Sequence, residues 1–111
     1  MASRSVMDTL SFPVKQTFLD SPSLGTNVIV AGEAGKQIKV LSVALVSKTA
    51  NDVFFVSDGN KISSTMPLGA NGGFVLPFNA YGWFVTNEGE GLGVNVSAIT
   101  QTGVMISYII D

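Results

Sequence analysis

The chain has 111 residues, enough for one ordinary domain, and 46% of them are apolar while only 13% are charged, about half the usual ~25%. It contains no histidine and no cysteine, which excludes a Ser-His-Asp triad, a thiolate nucleophile, a Cys/His zinc site and a disulfide framework within one copy. The net charge is −2 and the six basic residues are scattered, so the chain has neither the basic stripe of a nucleic-acid binder nor a polybasic membrane anchor.

In chain order, residues 1–25 differ from the rest. They hold Pro13, Pro22, several serines and isolated apolar residues. Met1–Leu10 carries Arg4 and Asp8 and lacks a continuous apolar run, so no secretory leader is expected. This part reads as an extended N-terminal arm that docks Leu10, Phe12, Val14, Phe18 and Leu24 on a neighbouring surface. Pro13 favours an edge position for any strand formed here. The alternative is that Phe12 and Phe18 cover an open end of the domain's own core.

Residues 26–111 read as one domain of alternating strands and turns. Asn27–Ala31 is closed by Gly32-Glu33-Ala34-Gly35. Lys36–Ser47 is apolar on both faces, as expected of a central strand covered on two sides. Asp52–Ser57 leads into Asp58-Gly59-Asn60, a hairpin-type turn. Lys61–Met66 is a weaker run ending at Pro67, followed by Phe74–Phe78 and Gly82–Thr86. Leu92–Ala98 alternates, with Leu92, Val94, Val96 and Ala98 on one face. Gly103–Ile110 repeats the pattern with Val104, Ile106, Tyr108 and Ile110 opposite Met105, Ser107 and Ile109. Gly91–Ile110 has the length of a membrane span, but Asn95, Ser97, Thr100, Gln101, Thr102 and Ser107 interrupt it. About eight strands at this spacing predict an all-β, single-domain β-sandwich of jelly-roll-like form.

The charge-poor surface calls for burial against partners or copies of itself; a monomer coated with Ser, Thr, Asn and Gly is the alternative. Few residues carry candidate chemistry. Glu88 and Glu90 form a carboxylate pair of the kind used in glycoside hydrolysis, but they lie two apart in a glycine-rich turn and read as solvated. Asp52 and Asp58 bracket one strand without the alternating oxygen ligands of a calcium loop. Gly89, Gly91 and Gly93 lead into a strand rather than a helix, so they are turn and bulge residues and not a phosphate cradle. Asn95-Val96-Ser97 fits a glycosylation sequon but falls in a strand. No cofactor and no metal are expected, and the chain does not read as an enzyme. Phe78, Tyr81, Trp83 and Phe84 are the best recognition candidates, because aromatic faces stack on sugars and anchor protein interfaces. At least one of Trp83 and Phe84 should point into the core.

Gly35–Ser42, Val53–Ser57, Leu68–Gly73, Gly82-Trp83-Phe84, Gly89–Val96 and Gly103–Tyr108 follow one another in an order that resembles small virion proteins of tailed bacteriophages. The likeness spans about two-thirds of the chain and lies in scaffold positions. It implies a head decoration (cement) protein, a homotrimer bound across major capsid subunits on the outer capsid surface and made in the host cytoplasm. It also implies, as the alternative, a receptor- or glycan-binding module of a head or tail fibre, using Tyr81 and Trp83. No nucleic-acid or membrane partner is expected.

Overall fold

Side chains alternate across a strand, so an apolar residue at every second position gives a run one greasy face. The computed structural model describes residues 12–20 and 23–111, and among them every regular element is a strand. The strands are β1 (Lys15–Asp20), β2 (Gly25–Val30), β3 (Ile38–Ser47), β4 (Asn51–Ser57), β5 (Asn60–Lys61), β6 (Met66–Leu68), β7 (Gly73–Leu76), β8 (Phe84–Val85), β9 (Leu92–Val96) and β10 (Thr102–Ile110). The clean alternation of β9 and β10 sends Leu92, Val94, Val96, Val104 and Ile106 into the core, with Tyr108 and Ile110 packed at its margin.

All strand pairs are antiparallel and form two five-stranded sheets. Sheet A runs β1-β10-β3, with β7 and β8 end to end along the far side of β3; sheet B runs β2-β9-β4, with β5 and β6 along the far side of β4. With β5/β6 and β7/β8 each taken as one interrupted lane, the pairs nest: β1 with β10, β2 with β9, β3 with β7/β8, β4 with β5/β6. A long hairpin rolled up in this way is a jelly roll. The expected all-β sandwich is therefore the fold.

The inner faces meet in one core. Phe55 and Phe84 come from opposite sheets with ring centroids 4.9 Å apart, and each such buried side chain contributes roughly 1.5–3 kcal/mol. At one end the sheets are tied by a buried amide: Asn51 Oδ1 accepts from the backbone N–H of Ser97 (2.9 Å) and Ala98 (3.2 Å), and its Nδ2 donates to Thr102 Oγ1 (3.3 Å). At the other end, Asp58 (φ 44°) and Gly59 (φ 86°) form the two-residue loop between Ser57 and Asn60. Positive φ at both central residues is the type I′ geometry of tight hairpins.

Several elements differ from the sequence reading. Residues 15–20, assigned to an arm in which Pro13 favoured an edge position for any strand, form edge strand β1 of sheet A, paired with β10 along their whole length. Leu19 of that strand packs on the core, so a period-two pattern too short to stand out in sequence was enough to pair it. Lys61–Met66 is not one strand. After β5 the Ser63 hydroxyl takes the Phe55 N–H (2.8 Å), a bond a ladder partner would otherwise make. Pairing with β4 resumes only at Met66, and Pro67 lies inside edge strand β6 opposite Asp52. Gly82–Thr86 shortens too: it contains only the two-residue β8.

Candidate functional site

The register of sheet A decides what lies on its outer face. In β1, β10, β3 and β7 the residues that alternate with core positions form three rows across the strands. One row is Asp20, Gly103, Val46, Gly73; the next is Phe18, Met105, Ala44, Val75; the third is Gln16, Ser107, Ser42. Asp20 is the single charge in this grid. Phe18, Met105 and Val75 are 71%, 61% and 70% exposed, and Val46 is exposed as well. Between them lies a depression of about 490 Å³, lined by Phe18, Ser42, Ala44, Val75, Pro77 and Met105 among others. Its floor carries two hydroxyls, Ser42 Oγ and Ser107 Oγ, which bond to each other at 2.5 Å. The floor's polar atoms thus already have partners, and the opening is an apolar one.

The outer face is open over only half its length. β3 carries one extra residue opposite the Ser107/Tyr108 step of β10. Beyond this bulge Lys39, Leu41 and Ile109 are buried. Gly82 rests on the Lys39 stem so closely that a Cβ there would meet Lys39 Cγ and Cε at 2.8 Å. The expectation of β3 covered on both sides thus holds at Leu41 and fails at Ala44 and Val46, because the covering segment ends before it reaches them.

That segment, residues 77–83 between β7 and β8, forms the second candidate surface. Asn79 N–H bonds Leu41 O and Trp83 N–H bonds Val40 O, both to the edge of β3. Asn79 Oδ1 accepts the Tyr81 N–H at 3.0 Å, a local side-chain turn that lets the loop reverse. Trp83 Nε1 donates to Pro77 O at 2.8 Å, which closes the loop and leaves the indole ring to face outward. Tyr81 (68%) and Trp83 (41%) are exposed, as is Phe78, while Phe84 turns inward onto Phe55. Of the two neighbouring aromatics, one is in the core and one is outside, as the strand argument required.

The sequence-predicted docking residues fall in and around β1 and before β2. Phe18 lies on the open face, Phe12 is half-buried, Val14 is exposed just before β1, and Leu24 is exposed in the connection to β2. Leu10 lies outside the described residues. Met105, Ala44, Val46 and Val75 complete the open face and were missed. Each looked like an ordinary strand residue, and only the register shows that they are neighbours.

Two of the four acidic candidates, Glu90 and Asp58, tie loops together. Glu90 Oε1 accepts from Ser57 Oγ (2.5 Å) and Asn87 Nδ2 (3.0 Å), and Asp58 Oδ1 accepts the Gly91 N–H (2.9 Å). These bonds pin the β8–β9 loop to the end of β4. Asp52 and Asp58 sit at opposite ends of β4, six residues or roughly 20 Å apart along the strand, so they share no site. Among the described residues no group of three or more Asp and Glu is placed to hold a metal. No helix among them is long and apolar enough to cross a membrane.

No protein-family model matches the chain, and no curated protein does. Among solved structures, it is similar to the capsular polysaccharide assembling protein CapF from Staphylococcus aureus, at 10% identity and a TM-score of 0.33. The match covers 86% of this chain and 30% of that one. At that TM-score the likeness carries no argument about fold or function.

Proposed function

We propose that the chain is a non-enzymatic structural protein of a phage virion, a decoration protein that binds across major capsid subunits on the outside of the head. The observation that carries the reading is the open face of sheet A. It presents Phe18, Met105, Val75 and Val46 to solvent with one charge among its grid positions. A contiguous apolar patch of this kind is often a functional contact surface. The ordered resemblance of residues 35–108 to phage virion proteins supplies the kind of assembly. Several modest contacts per molecule then add through effective concentration, which suits a protein that clamps a repeating lattice. The test is to follow the protein, by a specific antibody, through a density gradient of particles from a phage-producing culture. Banding with intact DNA-filled heads is the expected result, and particles that lack the protein overturn the reading.

The exposed pair Tyr81 and Trp83 favours a second reading, a glycan- or receptor-binding module of a fibre. Their rings are presented by a loop whose own hydrogen bonds are satisfied, the arrangement needed for stacking on sugars. A glycan array separates the two: sugar binding lost in Trp83→Ala supports the fibre module, and a blank array at high protein concentration removes it.

A further inference from the structure

We propose that the open face of sheet A is a two-fold contact between two copies of this chain, with the axis running along the strands between β10 and β3. This goes beyond the virion reading and concerns the free protein: the face is the one that reading gives to the capsid, so the pair must part before a capsid is bound. The argument rests on size. Such an axis lays β10 of one copy over β3 of the other, and β1 over β7. Met105 then sits over Ala44, Val46 over Gly103, and Phe18 over Val75, so in every pair a larger side chain meets a smaller one. The space at Gly103 is open, with no atom within 4 Å of where a Cβ would lie, and it accepts the exposed Val46. An axis across the strands instead stacks Met105 on Met105 and leaves a void over Ala44.

Polarity and charge agree with this choice. One floor hydroxyl donates to the other, and the axis sets Ser107 of one copy over Ser42 of the other, so the O–H that this bond leaves over is met across the contact. Asp20 is carried to the rim over Gly73 of the other copy. The two Asp20 side chains lie on opposite edges, about 14 Å apart across four strands at ~4.8 Å spacing, beyond the screening length of ~8–10 Å. The grid of four strands by three rows measures roughly 400 Å² per copy. The total of about 800 Å² lies below the ~1,000 Å² of a stable interface and in the range of weak, transient contacts, so the pair should dissociate on dilution through the micromolar range.

The test is sedimentation equilibrium of the purified protein across that range, with circular dichroism to confirm the fold of each variant. The wild type is expected to move between one and two chains, or between three and six if a trimer also forms. Ala44→Glu, at an outward position, abolishes the doubling, and Phe18→Ser repeats the result should Ala44→Glu not fold. Ala44→Met and Met105→Ala each weaken the pair by about tenfold or more, ~1.4 kcal/mol. The double variant, which exchanges large and small between the strands, restores it. A wild type that stays one chain, or three chains with no doubling, overturns the proposal. So does doubling that Ala44→Glu leaves unchanged, or a double variant no better than the singles. Each of these outcomes is read without capsids, so it leaves the virion reading to its own experiment.

Discussion

The two sheets share one core but differ on their outer faces. On sheet B the outward positions are dressed. Asn95 Nδ2 donates to Thr26 Oγ1 at 2.9 Å, and the Ser97 hydroxyl takes the Asp52 N–H at 2.8 Å. Lys61 Nζ sits 4.9 Å from the Phe54 ring centre and donates to Thr65 Oγ1 at 2.6 Å. Apolar residues there are buried or capped, apart from Val28 and Pro67. On sheet A the matching positions are Phe18, Met105, Ala44 and Val75, with no ammonium or carboxylate over them. Both sheets contribute equally to the core, so the difference does not come from a need for stability. This contrast is what the proposed contact on sheet A rests on.

Variants at four positions test how far that comparison goes, starting from what the sheets have in common. Phe55→Ala removes the ring that packs on Phe84 between the sheets and should cost about 3–5 kcal/mol by urea titration. A loss under ~1 kcal/mol would mean that the sheets do not depend on this seam. Asn51→Ala strips the acceptor from the Ser97 and Ala98 N–H groups and should cost about 2 kcal/mol. The same titration reads it, and Asn51→Asp, which keeps an acceptor, should lose less. On the dressed face, Lys61→Ala uncovers Phe54 at a cost of about 0.5–1 kcal/mol, with increased binding of a hydrophobic dye. On the open face, Met105→Lys should leave stability within ~0.5 kcal/mol and decrease dye binding. If the two dye responses came out reversed, the contrast between the faces would be wrong.

Much of the fold was legible in the residues. The alternation of Leu92–Ala98 and Gly103–Ile110 specified which side chains enter the core, since a one-residue slip would turn every one of them outward. Asp58-Gly59 announced its hairpin because few residues tolerate positive φ. Lys15–Asp20 was harder to place. Its only deeply useful inward residue is Leu19, and its pairing depends on β10, which lies about ninety residues later in the chain. The split between β5 and β6 was hidden for a similar reason, as it turns on one hydroxyl, that of Ser63, replacing a ladder partner.

The candidate surfaces were legible only in part. Phe18, Tyr81 and Trp83 stand out in sequence as aromatic residues in need of an explanation, and all three are exposed. Their company was not visible. Phe18 and Met105 are separated by most of the chain and adjacent in the sheet, whereas Phe18 and Leu24 are close in sequence and occupy different parts of the sandwich.

By itself the sequence determined the inner half of this protein: strands, turns and core follow from local periodicity, because a side chain's neighbours along a strand decide which face is apolar. The outer half was decided by tertiary structure. Whether an outward apolar residue ends up covered, like Leu41, or open, like Ala44, depends on where a segment from elsewhere in the chain crosses the sheet and where it stops. That is a matter of three-dimensional reach, which no local pattern records.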